Sequence, residues 1–144
     1  MQLNVSELLR ALQIMERNVS VTLMYSGLRV PQFRLLEQIT TQGSATVTDL
    51  SKALGITRAT TSVQVNELLR SGIIAMEESE VDRRSFHLHL TELGANKLKV
   101  ARSDLAVMQQ KLERHFGPQL VECLNHFTRE MGKHKSSSQM GNRS

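Results

Sequence analysis

Aromatic side chains are scarce in this chain: one Tyr, four Phe and no Trp, 3% of 144 residues. A platform that binds single-stranded nucleic acid by base stacking needs a row of such rings, so the composition argues against one. Cysteine occurs once, at Cys123, which rules out an internal disulfide and any thiolate zinc cluster within one chain. A reducing, cytoplasmic location is the resulting expectation. No run approaches the roughly 18 to 20 apolar residues that a membrane span needs. No basic segment followed by an apolar core opens the chain, so no signal peptide is expected. Nucleophile–base pairs, phosphate-cradling glycine loops and metal-ligand clusters at useful spacing are also lacking, which points away from an enzyme and implies no cofactor. His87 and His89 lie two apart on one strand face without a placed Cys or acid to join them, so no metal site is expected. With 40% apolar and 22% charged residues, what remains is an ordinary soluble chain. It is long enough for one domain with a real core.

The charge is unevenly placed. The formal net charge is +4. Residues 44–94, however, carry Lys52, Arg58, Arg70, Arg83 and Arg84 against Asp49, Glu67, Glu77, Glu78, Glu80, Asp82 and Glu92, a net of −2. The segment from Gly132 carries Lys133, Lys135 and Arg143 and no acid. The basic character therefore belongs partly to the tail and is no evidence that the centre binds phosphate.

Helical periodicity dominates both ends. Val5, Leu8, Leu12, Met15 and Val19 step by 3, 4, 3 and 4 residues, one apolar face of a helix. Leu9, Leu23, Met24 and Leu28 widen that face, and Ser26-Gly27 ends it. Val30-Pro31 opens a second helix with Pro at its first turn, and Phe33, Leu36 and Ile39 form its inner face. Thr91 caps a long helix in which Gly94, Leu98, Ala101, Leu105, Met108 and Leu112 keep a heptad-like seam. Gly117-Pro118 breaks it, and a last helix runs from about Gln119 to Met131. Cys123 in that helix reads as a packing residue, since its neighbours Val121, Glu122 and Leu124 give its thiol no activation; a redox sensor helped by His126, about one turn away, is the lesser alternative. The segment 132–144 lacks periodicity and is expected to be disordered. Long apolar helices in so short a chain need a partner surface, and a two-fold dimer is the expected use of residues 1–43 and 95–131, with a monomeric helical bundle as the alternative.

The centre, residues 44–94, has a different grammar. Ser44 to Thr46 can form a one-strand bridge. Thr46-x-x-Asp49 resembles a capping box, Val47, Leu50 and Leu54 give a short apolar face, and Gly55 breaks the helix. Thr57 caps the next helix, which runs to Ser71 with Gly72 as its stop. Two short helices joined through a glycine turn are a helix-turn-helix. On the second helix Thr61, Val65 and Leu68 face the core. Arg58, Ala59, Ser62, Val63 and Asn66 face away, with side chains able to reach base edges or phosphates in a major groove. Strand-like Ile73–Glu77 and Ser85–Leu90 follow, with Phe86, Leu88 and Leu90 alternating against Ser85, His87 and His89. A polar tip between them holds Asp82-Arg83-Arg84, and an arginine there can enter a minor groove. The fold class is thus mostly α with a small β-hairpin wing: a winged helix-turn-helix plus a helical dimerisation region.

Four stretches together, Gly55-Ile56-Thr57-Arg58-Ala59-Thr60, Asn66 through Ile74, Asp82-Arg83-Arg84 and Leu90-Thr91-Glu92-Leu93-Gly94, resemble the MarR family of bacterial transcription regulators. The resemblance covers nearly the whole chain. It implies a homodimer that binds a pseudo-palindromic double-stranded DNA operator, in the first instance as a repressor released by a small, often aromatic, effector. It implies DNA contacts from Thr57, Arg58, Ala59, Ser62, Val63 and Asn66, and a wing anchored by Arg83 and Arg84 with Asp82 as the bracing acid. An effector cleft between the dimerisation helices and the DNA-binding lobe follows by the same resemblance. Tyr25, Phe33 and Arg34 are its candidate lining, with core packing the simpler role for Tyr25 and Phe33. Two positions depart from the family pattern. Met76 stands where the first wing strand usually has an arginine, and Val63 where a basic residue is common. With Glu77, Glu78 and Glu80 in the wing, this predicts weak phosphate attraction and a shallow salt dependence. The alternative reading is a winged-helix module that binds a protein partner without sequence-specific DNA binding.

Overall fold

A computed structural model describes residues 1–81 and 85–141, with side chains as far as His134. Helix α1, Val5–Thr22, begins at Asn4, whose side-chain oxygen accepts the Glu7 N–H at 3.1 Å. A 3-10 turn over Leu23–Ser26 closes it. Ser26 is buried there because its hydroxyl is used twice, donating to the Leu23 carbonyl at 2.6 Å and accepting the Leu28 N–H at 3.2 Å. Helix α2, Val30–Gln42, starts with Pro31 in its first turn, and the Gln32 side chain accepts the Arg29 N–H.

Helix α3, Val47–Leu54, is opened by the expected capping box. Asp49 N–H donates to Thr46 Oγ1 and Thr46 N–H to Asp49 Oδ2, each at 3.1 Å. Gly55, at φ 67°, turns the chain through a left-handed conformation that a β-carbon would disfavour. Helix α4, Arg58–Arg70, is capped by Thr57, whose hydroxyl oxygen accepts the Thr60 N–H at 3.1 Å. Thr61 can be fully buried because its hydroxyl donates back to the Thr57 carbonyl.

Strands β1 (Ile74–Glu78) and β2 (Phe86–Leu90) pair antiparallel, with Ile74 opposite Leu90 and Glu78 opposite Phe86. Ala45 supplies the anticipated bridge: its N–H and carbonyl both pair with Leu88, at 3.2 and 2.8 Å. The alternation inferred for β2 holds only in part. Leu88 is 1% exposed and Leu90 half-buried, but Phe86 is 48% exposed. Only the middle of β2 is covered, because only Leu88 has a neighbour on both sides.

Helix α5, Glu92–Gly141, is joined to β1 by Thr91. Its N–H donates to the Ile73 carbonyl at 3.1 Å, its hydroxyl donates toward the Gly72 and Ile73 carbonyls, and its oxygen accepts the Gly94 N–H. Lys97 reaches the Ser26 carbonyl at 3.2 Å, and Arg102 makes two hydrogen bonds to Glu37. Leu23, Leu35, Leu36, Leu50, Leu68 and Leu88 form the centre of one core, with Leu98 and Ala101 of α5 completing it.

The chain divides into two compact units, Met1–Leu105 and Ala106–Ser144. In the second, helical geometry is lost at Gly117 (φ 80°, ψ 164°), as Gly117-Pro118 led one to expect. The helix then continues to Gly141 rather than giving way to a disordered tail at Gly132. One glycine inside a helix costs only about 1 kcal/mol, and Lys133 pairs with Glu130 across it at 3.1 Å. Cys123 is exposed rather than packed.

The capping box has a pH signature. Asp49 has its carboxyl pKa lowered by the hydrogen bonds from the Thr46 backbone and side chain, with the nearby His87 and Lys52 adding to the effect. A depressed folded-state pKa contributes stability that is present above the unfolded value near 3.8 and is lost as pH falls through the folded value. Urea midpoints for wild type and Asp49→Asn at pH 6 and pH 3 test this. The variant should lose less stability across that interval, by a small margin because Asp49 is exposed.

Candidate nucleic-acid interface

Helix α4 is seated by Thr61, Val65 and Leu68, all buried. At 100° per residue the opposite side of the helix is Ala59, Val63, Asn66 and Arg70, and all four are exposed. The outer line of the helix is therefore two apolar groups, one amide and one cation.

Each flank carries a groove. On one side Arg58 lies with Thr46, Thr48, Asp49, Ser85 and Phe86 at the junction of α3, α4 and β2. Asp49 places a carboxylate in this groove, and its hydrogen bonds to Thr46 hold it ionised. On the other side Thr60, Val63, Gln64 and Glu67 face Arg29, Pro31 and Gln32 at the start of α2. There Arg29 Nη2 bonds Glu67 Oε2 at 2.5 Å. Both side chains are well exposed, so the pair contributes little stability. Its effect is electrostatic: the one acid on α4 is neutralised beside the outer line.

The residues expected to meet DNA sort as follows. Ala59, Val63 and Asn66 lie on the outer line of α4. Arg58 is exposed but shares its groove with Asp49. Ser62 is half-buried on the same flank as Arg58. The Thr57 hydroxyl is engaged by Thr60 and remains a cap first. Asp82, Arg83 and Arg84 lie outside the described residues. Arg70 was missed in the sequence reading. It sits one turn beyond Asn66 on the exposed face, and that i+4 spacing was the available signal.

The candidate effector-lining residues lie away from α4. Tyr25 is 92% exposed, so it is not a core residue of this chain. Phe33 packs against the core, and Arg34 is exposed. None of the three lines either groove beside α4. Met76 is exposed on β1 and offers no charge at the position of the usual arginine. Among the described residues no group of three or more His, Cys, Asp or Glu could hold a metal ion. Also among them, no helix is long and apolar enough to cross a membrane.

Comparison with known proteins bears on this geometry. The model of the MarR family matches residues 26–85, from the turn after α1 to the start of β2. The HTH-type transcriptional regulator PetP of Rhodobacter capsulatus is 31% identical over 88 residues, 61% of this chain and 53% of the relative. YfiV of Bacillus subtilis, an uncharacterised HTH-type transcriptional regulator, is 30% identical over 91 residues, 63% of this chain and 55% of its own. The matched region thus spans about half the length of these curated relatives. Among solved structures, Bordetella bronchiseptica BpsR, whose DNA binding is regulated by 6-hydroxynicotinic acid, superposes with a TM-score of 0.79 at 25% identity. That match covers 90% of this chain and 93% of that one. A mutant of Escherichia coli MarR complexed with operator DNA gives a TM-score of 0.79 at 19% identity, with 88% and 92% covered; at that identity it speaks for the fold alone. The match of the MarR-family model to residues 26–85 falls on the capped helices and the first wing strand, and the chain as a whole is similar in fold to solved MarR-family regulators.

Proposed function

We propose that this protein is a sequence-specific DNA-binding transcription regulator that acts as a homodimer on a pseudo-palindromic operator, with repression as its basal mode. The observation that carries this reading is the outer face of α4. It is exposed along its whole length, set on a buried seat, and lined with groups that can contact base edges. Arg58, Ser62, Asn66 and Arg70 are its polar contacts, with Ala59 and Val63 between them. Arg83 and Arg84 anchor the wing and Asp82 braces it. The dimer rests on apolar surface that the single chain leaves open: Val5, Leu9, Leu12 and Ile14 on α1 are all exposed, as are Leu120 and Leu124 in the second unit. Such a dimer spaces its recognition helices by about 34–36 Å, one turn of DNA. A small-molecule effector that weakens DNA binding is part of the proposal by analogy with BpsR.

A titration of the full-length protein against an enriched duplex and against random DNA, across a salt series, tests it. The expected result is a preference of about a thousandfold or more for the enriched duplex. The salt slope should be shallow, because the central lobe is net negative by sequence. Asn66→Ala should weaken the specific duplex by about 1–3 kcal/mol while leaving random-DNA binding nearly unchanged. Equal, salt-fragile binding to both duplexes would overturn the proposal and favour a protein partner for the same face.

A further inference from the structure

We propose that Val63 reads the 5-methyl group of thymine, making it a specificity-determining residue that commits the centre of each half-site to an A·T pair. This rests on the DNA-binding reading of α4 and goes beyond it by naming the base. Val63 is 59% exposed, and it stands directly opposite the buried seat of Thr61, Val65 and Leu68. Val63 borders the groove toward Arg29, Pro31 and Gln32 on one edge, but most of its side chain stays in water, and a β-branched residue has only modest helix propensity.

In a major groove an apolar group has one apolar partner on the base edges, the methyl group of thymine. Against guanine or cytosine, Val63 would strip water from a donor or acceptor without replacing the hydrogen bond, so the wrong pair is also penalised. The neighbours of Val63 agree with this. Ala59 places a second methyl group one turn earlier on the same line, and small bulk there lets the helix approach closely. Asn66 follows about 4.5 Å further along the helix axis, which is within the reach of adjacent base pairs, and its amide can pair with adenine N6 and N7. The acid on the adjoining flank, Glu67, is held by Arg29. The centre of α4 thus favours a thymine beside an adenine.

The test uses the full chain. A duplex is enriched from a random library, and each thymine in one half-site is replaced in turn by uracil, which removes only the methyl group. Wild type should lose affinity about fourfold at one or two positions, the worth of one buried methyl group. At the same positions Val63→Ala should lose less than about 1.5-fold, since the group that met the methyl is gone. Thermal unfolding should show Val63→Ala as stable as wild type, because the residue is exposed and Ala is the better helix former. An enriched duplex indifferent to uracil at every position overturns the inference and leaves the regulator standing. A uracil penalty that persists undiminished in Val63→Ala overturns it as well. Failure to enrich any duplex overturns the DNA-binding reading and this inference together.

Discussion

Gly94→Ala should lower the stability of this protein by about 3 kcal/mol or more, because the added methyl group has no place to go. A β-carbon built on Gly94 would lie 2.0 Å from the Ile73 carbonyl oxygen, 3.1 Å from its carbonyl carbon and 3.2 Å from its Cγ2. The nearest atom is backbone, so no rotamer change relieves the clash. Either β1 or the first turn of α5 must move. That carbonyl is also the acceptor for the Thr91 N–H and for the Thr91 hydroxyl. Displacing it therefore disturbs the cap of α5 as well as the packing. For a chain of this size about 3 kcal/mol corresponds to a fall in Tm of roughly 10 °C. A wild-type Tm in Gly94→Ala would show that the approach of α5 to β1 is looser than described. Thr91→Val separates the two contributions. It keeps the volume, removes the hydroxyl, and should cost about 1–2 kcal/mol, the usual worth of an N-cap. The Leu-Thr-x-x-Gly sequence is thus one device: Thr91 ties the helix start to the Gly72 and Ile73 carbonyls, and Gly94 allows the approach that makes this possible.

This device also shows why parts of the chain were legible in sequence and others were not. Caps and turns are decided within four residues, so Thr46-x-x-Asp49, Gly55, Thr57 and Gly117-Pro118 could be placed from sequence and recur as such in the structure. The seat of α4 was equally readable, because a helical period fixes which residues share a face. What sequence could not supply is which apolar residues stay uncovered. Leu12 and Met15 are in phase on α1, yet Leu12 is exposed and Met15 half-buried. That difference depends on the width of the neighbouring surface, not on period. Tyr25 failed as a core residue for the same reason: the 3-10 turn directs it outward, and periodicity carries no record of a turn's geometry. The Arg29–Glu67 pair, across 38 positions of sequence, had no local signal at all. It matters to the interface because it neutralises the one acid that α4 itself carries.

Leu88→Ala should be the second large loss, about 3 kcal/mol, within the range for emptying a fully buried leucine site. Leu88 is the residue around which the wing is attached to the lobe. Its backbone pairs with Ala45 at 2.8 and 3.2 Å, it stands opposite Met76 on β1, and its side chain is in the core with Leu50 and Leu68. Strict alternation along β2 would give Phe86, Leu88 and Leu90 similar weight. The structure ranks them instead. Leu88→Ala should cost most and Leu90→Ala, half-buried, about 1–2 kcal/mol. Phe86→Ala should cost under about 1 kcal/mol, since the ring is already half in water. Urea midpoints with unchanged m-values would read this order directly. Equal losses at positions 86 and 88 would mean that the hairpin sits deeper on α3 than described and that Phe86 is covered. If the order holds, Phe86 is free to act where it stands, in the groove beside Arg58. Phe86→Ala would then alter DNA affinity more than it alters folding. Leu88→Ala would do the reverse, weakening DNA binding only insofar as the wing detaches from Ala45.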